Sequence, residues 1–143
     1  MFDLDSFLNS DTVGANSTEY TPVPEGEYPA QIKKVTARVT ERGQTIVDVQ
    51  WGVQDEKAAE VTGMKEPVVR QSIFLDLTET DNIDLGKGKN VQLGKLRDAV
   101  GQNDPSRPWN FNMLVGQAAK IRTSHRIGDQ GQIYVDVKAV TRL

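Results

Sequence analysis

The sequence predicts a mainly β fold, a five-stranded barrel with one helix between its third and fourth strands, preceded by an extended acidic arm. Three observations carry this expectation. Apolar and polar residues alternate over successive segments, the period at which strand side chains point to opposite faces. Residues 91–100 depart from that period, with apolar residues at helical spacing. The first 27 residues hold six acids, Asp3, Asp5, Asp11, Glu19, Glu25 and Glu27, and no lysine or arginine.

The arm spans residues 1–24 and the barrel domain 25–143. Residues 9–21 are rich in Ser, Thr, Asn and Gly and have no hydrophobic period, so they are expected to be extended or mobile. The tip differs: Phe2, Leu4, Phe7 and Leu8 interleave with acids and predict a short sticky turn. Pro22 and Pro24 stiffen the entry to the first strand. There Tyr28, Ala30 and Ile32 share a face, after which the apolar phase slips to Val35, Ala37 and Val39, the mark of a β-bulge. Residues 41–44 form a turn. The second strand sets Val47, Val49, Trp51 and Val53 on one face, with Asp48 and Gln50 on the other. A helical turn is expected at 56–60.

The third strand places Val69, Gln71, Ile73 and Leu75 inward and Arg70, Ser72 and Phe74 outward. In the helix, Leu93, Leu96, Ala99 and Val100 recur at helical spacing, Asn90 is the expected N-cap and Gly101 the residue that ends it. Trp109, Phe111, Met113 and Leu114 are expected to plug one end of the core. Two final strands, 118–127 and 132–141, flank the tight turn Gly128-Asp129-Gln130-Gly131. Three strands, a helix and a terminal hairpin follow the order of the OB-fold, a five-stranded Greek-key barrel.

Charge divides the chain as the pattern does. The net charge is −3, from 17 basic and 20 acidic residues, yet residues 28–143 keep every basic residue and lose those six acids, leaving about +3. An acidic arm on a mildly basic body suits a domain with an anionic partner. There is no cysteine, which removes disulfides, thiol nucleophiles and thiolate zinc sites. With one histidine as well, hydrolytic or redox catalysis has no assembled set, so a non-enzymatic protein without cofactor or metal is expected. The short apolar runs predict no membrane span, and the acidic N-terminus does not read as a secretory signal. Together these readings predict a soluble intracellular protein.

Several short motifs carry a family resemblance. They are Pro24-Glu25-Gly26-Glu27-Tyr28, Leu93-Gly94-Lys95-Leu96, Leu114-Val115-Gly116 leading to Ala119-Lys120-Ile121, and Ile133-Tyr134-Val135-Asp136-Val137-Lys138. In this order, over residues 24–143, the chain resembles tailed-phage single-stranded-DNA-binding proteins of OB-fold type. It departs from them at Gln117, where a lysine is usual, and at Thr141-Arg142-Leu143, where many replicative single-strand binders carry an acidic tail. The resemblance implies a bacteriophage protein of DNA replication or recombination, working in the cytoplasm of an infected bacterial host.

Single-strand binding needs cations along the backbone path and flat side chains for base stacking. In an OB-fold that surface is formed by strands two and three and the loops joining strands one to two and four to five. The candidate cations are Lys33, Lys34, Arg38, Arg42, Arg70, Lys120, Arg122, Arg126 and Lys138; the candidate stacking residues are Phe74 and Tyr134. Trp51 shares a face with valines and is assigned to the core. Gly86-Lys87-Gly88-Lys89-Asn90 lacks the Walker A spacing and reads as a basic loop. The acids Asp76, Glu79, Asp81 and Asp84 match no EF-hand loop. Single-stranded DNA is the expected partner. Replication or recombination proteins, or a neighbouring subunit, are further expected partners through Phe2, Leu4, Phe7 and Leu8. The alternative is a virion structural protein, decorating or stabilising a capsid, whose arm lies along a neighbouring subunit.

Overall fold

A computed structural model describes residues 2–18 and 20–143; Met1 and Glu19, the latter one of the acids of the arm, lie outside the described residues. Five strands form one antiparallel sheet: β1 (Gly26–Val39), β2 (Thr45–Val53), β3 (Val68–Phe74), β4 (Ala118–Ile127) and β5 (Ile133–Thr141). Their order is β3-β2-β1-β4-β5. The first half of β1 pairs with β4, from Gly26↔Thr123 to Gln31↔Ala118, and its second half pairs with β2. One strand thus serves both halves of the sheet. The expected phase slip makes this possible: the β1–β2 register shifts between Ile32 and Lys34, so Lys33 is the extra residue of a bulge that bends the strand. The sheet is open, with edge strands β3 and β5 close together but joined by no ladder.

The strand phases read from the sequence set the core except in the second half of β1. There Val35 is partly buried, but Ala37 and Val39, expected on the same apolar face, are exposed because that end of the strand runs past the core. Val47, Val49, Trp51 and Val53 of β2 and Val69, Gln71 and Ile73 of β3 are buried, as are Ile32 of β1 and Ala119 and Ile121 of β4. The indole Nε1 of Trp51 donates to Gln71 Oε1 at 3.0 Å, so the one amide facing this interior is satisfied there.

Among the described residues three α-helices accompany the sheet. Helix α1 (Leu4–Leu8) stands where a short turn was expected, capped by the Asp3 carboxylate, and buries none of its residues. Helix α2 (Glu56–Thr62) starts at Asp55, which accepts from Ala58 N at 2.9 Å, and ends at Gly63 with φ 73°. It outruns the single turn expected, ending where Gly63 N donates to Ala59 O, and Ala58 packs into the core. Helix α3 (Val91–Ala99) buries Leu93, Leu96 and Ala99. Gly101, at φ 72°, ends it in a Schellman motif: Gly101 N donates to Asp98 O at 3.1 Å and Gln102 N to Arg97 O at 2.8 Å.

Two expectations for this region need correction. Asn90 occupies the cap position of α3, but in the left-handed region (φ 51°), and its side chain makes no cap bond. Instead Oδ1 accepts from Asp76 N, while Nδ2 donates to Asp76 O and Asp84 O, closing the 76–90 connection into a compact loop. Met113 is exposed rather than plugging the core. Residues 111–114 form a 3-10 turn, in which positions three apart eclipse, so Phe111 and Leu114 face inward and Met113 turns away.

Described residues 9–24 contain no helix or strand, and described residues 2–21 are exposed. The entry to β1 is tied down. Val23 is buried, its carbonyl meets His125 Nε2 at 2.7 Å, and the Tyr28 hydroxyl donates to Pro24 O at 2.7 Å. His125 is thus a structural tie. No described helix is long and apolar enough to cross a membrane.

Candidate nucleic-acid interface

The registers assign the outward side chains to rows. Across β1, β2 and β3 these rows are Lys34–Gln50–Arg70, Thr36–Asp48–Ser72 and Arg38–Ile46–Phe74. Residues directly opposite one another share a face. Lys34, Arg38, Arg70 and Phe74 therefore stand on one surface. The hairpin of β4 and β5 adds the outward rows Ser124–Asp136 and Arg126–Tyr134.

These two outer surfaces meet where β3 approaches β5. A groove of about 430 Å³ runs there, lined by Arg70, Ser72 and Phe74 from β3, Tyr134, Asp136 and Lys138 from β5, and Arg126 from β4. Gln92, in the first turn of α3, closes one side. Phe74 is 60% exposed and Tyr134 43%, so the groove presents two aromatic rings to solvent.

The ring of Tyr134 is held from three sides. Arg126 lies 4.7 Å from its centroid, and Gln132 Nε2 donates to its hydroxyl at 2.9 Å. Gly128 lies close on the third side, where a Cβ would come within 2.7 Å of the ring. Arg126 is itself paired with Asp136 at 3.1 Å. Lys138 is the extra residue of a bulge in β5, between the pairs Thr123↔Val137 and Arg122↔Ala139. Neither Lys138, Arg70 nor Lys34 forms an ion pair among the described residues.

Asp48 organises the neighbouring face. It is 8% exposed and accepts from Arg38 Nε at 2.7 Å and from Ser72 Oγ at 2.6 Å. Burial works to raise its pKa, but the hydrogen bonds from Arg38 and Ser72 and the charges of Arg38 and Arg70 outweigh it, holding the carboxyl below its ordinary value. A lowered pKa contributes stability above the unfolded-state value of about 3.9 and loses it as pH falls through the folded one. The urea midpoint is therefore expected to drop below about pH 4, and Asp48→Asn to abolish that component at a cost near 2 kcal/mol at neutral pH. Unfolding curves at pH 7 and pH 3 for both proteins check this; an unchanged pH dependence in Asp48→Asn would remove Asp48 as its source.

Not every candidate cation joins the groove. Lys33 sits on the β1 bulge and pairs with Glu66 at 3.2 Å. The pair fits because Gly52 has no Cβ, which would lie 2.6 Å from Glu66 Oε1. Lys120 lies 4.0 Å from Glu27, and Arg122 is opposite Glu27 and Ala139; both belong to the half of β4 beside the start of β1. Arg42 is exposed in the β1–β2 turn and does not line the groove. The groove also uses Gln92, which sequence reasoning did not single out because nothing local marks a helix residue as the neighbour of a distant strand. Asp136 had a signal, its alternation with Tyr134 and Lys138. Among the described residues no three His, Cys, Asp or Glu side chains are grouped to hold a metal ion.

Comparison of the chain with models of known protein families gives no match, and comparison with curated proteins gives no significant match. The reading of this surface rests on its geometry and charge.

Proposed function

We propose that this chain is a non-catalytic single-stranded-DNA-binding protein with an OB-fold-like barrel, and that the β3–β5 groove and the adjoining outer face of β1–β3 form its binding surface. One observation carries the reading. Phe74 and Tyr134, both exposed, line a single groove together with Arg70, Arg126 and Lys138. Stacking platforms beside backbone cations are what sequence-tolerant single-strand binding requires, and a duplex hides the base faces that such platforms need. Around the groove, five cations (Lys34, Arg38, Arg70, Arg126 and Lys138) stand against two carboxylates (Asp48 and Asp136). The OB-fold reading is supported by the pairing of β1 with both β2 and β4, the bulge that permits it, α3 between β3 and β4, and the close approach of β3 and β5. The resemblance to tailed-phage proteins assigns the work to replication or recombination intermediates in an infected bacterium.

The test is fluorescence anisotropy of labelled oligothymidine and the matching duplex, at low and at moderate salt. Tight binding to the single strand is expected, with a log-log salt slope of about −0.7 per phosphate contacted and weak duplex binding. Absence of binding at low salt would reject the proposal. The second reading, a virion structural module, is favoured by the exposed apolar side chains of α1. It predicts co-sedimentation with particles and no affinity for either DNA.

A further inference from the structure

The N-terminal tip is an apolar surface with acids attached. Phe2, Leu4, Phe7 and Leu8 are between 56% and 77% exposed, and the rings of Phe2 and Phe7 pack on each other with centroids 4.9 Å apart. Asp3 and Asp5 stand among them. A docking surface for this tip must therefore offer an apolar hollow rimmed by cations.

The molecule has such a hollow, away from the DNA groove. Ile83, Leu85, Pro105 and Trp109 form an apolar bowl of about 560 Å³, rimmed by Arg97, Arg107, Asn103 and one carboxylate, Asp104. Its apolar floor is open, for Leu85 is 83% exposed. The Arg97 guanidinium lies 4.2 Å from the Trp109 ring centroid, which holds its charge at the edge of the bowl. Among the described residues the Arg107 side chain is held only by an exposed pair with Asp104 at 3.5 Å, weak enough to exchange for another carboxylate. The larger cleft beside residues 18–23 has no charged residue in its lining, so it matches the apolar half of the tip but not its acids.

The two features sit at opposite poles. Residues 18–23, from which the tip hangs, lie against the start of β3 and the β4–β5 turn. The bowl adjoins α3, whose C-terminal end is joined to the far end of β5 by Arg142 Nε donating to Asp98 O at 3.1 Å. The nine residues of β5, which run between these two ends, span about 30 Å. The segment between Leu8 and Thr18 spans about 17 Å on average as a flexible chain and reaches past about 30 Å only near full extension, so docking in the same copy would cost it nearly all its conformational freedom.

We infer that the tip of one copy docks in the Leu85–Trp109 bowl of a second copy, its phenylalanines and leucines in the hollow and Asp3 and Asp5 against Arg97 and Arg107. Because tip and bowl are different surfaces at opposite poles, the contact is head-to-tail and adds copies in a row. The inference does not depend on DNA binding. Sedimentation velocity of the full chain over a wide concentration range tests it, beside two exposed-site variants, one with Leu4→Asp and Phe7→Asp, the other with Leu85→Asp and Arg107→Glu. The intact chain is expected to gain mass with concentration, and each variant to remain monomeric with an unchanged unfolding midpoint. Mixed together, the variants restore one good tip–bowl contact and are expected to form dimers and nothing larger. A chain that stays monomeric throughout, association indifferent to either variant, or a mixture that stays monomeric would overturn the inference.

Discussion

Replacing Phe74 and Tyr134 together with alanine is expected to weaken binding of oligothymidine about a hundredfold, since each base–aromatic stack is worth about 1–3 kcal/mol. The two rings do not contribute alike. Tyr134 already packs against Arg126 and Gly128, whereas Phe74 is the more exposed of the two and is expected to carry the larger share. The salt slope should be unchanged in the double variant, because Arg70, Arg126 and Lys138 remain. Replacing Arg70 and Lys138 with alanine should do the reverse, making the slope shallower by about 0.7 for each phosphate no longer neutralised. Phe74 also flanks Ile46, which is buried on the outer face, so its truncation tests stability as well as stacking. Phe74→Leu separates the two effects: it keeps apolar cover over Ile46 and removes the flat ring. Anisotropy of all variants, with urea unfolding as the control, decides the matter. Wild-type affinity in a folded double variant would exclude the groove as the stacking surface.

Trp51→Ala is expected to lower stability by about 4 kcal/mol, a large share of the 5–15 kcal/mol that holds a domain of this kind together. Trp51 is fully buried at the centre of β2, so its removal leaves a cavity that the sheet cannot collapse into. It also strands Gln71 Oε1, which is buried on β3 and receives the indole N–H. Trp51→Phe isolates that second effect and should cost about 1–3 kcal/mol, the penalty for an unpaired buried acceptor. Adding Gln71→Leu to Trp51→Phe should recover part of it. Denaturant unfolding measures all three, and a loss below about 1 kcal/mol for Trp51→Ala would contradict the packing described. Gln71 lies between Arg70 and Ser72 in sequence, so the core pair also anchors the strand that carries Phe74. For that reason DNA affinity should be compared only where each variant is folded.

The strand faces were legible because side-chain direction in a strand is a local property with a period of two. Trp51 falls with its valines and Phe74 with Arg70 whatever the strands pair with. The slip after Ile32 announces the bulge at Lys33, and Leu93, Leu96 and Gly101 announce α3 and its end. Local pattern also points to Asn90 as the cap of α3. The structure uses its amide for the backbone of Asp76 and Asp84 instead, a competition among partners that sequence spacing does not resolve.

Which outward residues become neighbours was decided by the tertiary structure. Phe74 and Tyr134 lie far apart in the chain, on the two edge strands, and they share a groove only because the bent sheet brings its edges together. Lys33 and Lys120 read as cations equal to Lys138, yet Glu66 and Glu27 partner the first two, while Lys138 projects into the groove unpaired among the described residues. The alternation of residues thus determined which side of most strands faces the core, though not in the second half of β1, where Ala37 and Val39 are exposed. Sheet curvature and long-range pairing determined what each side meets, because they depend on contacts between segments far apart in the chain, to which a local period is blind.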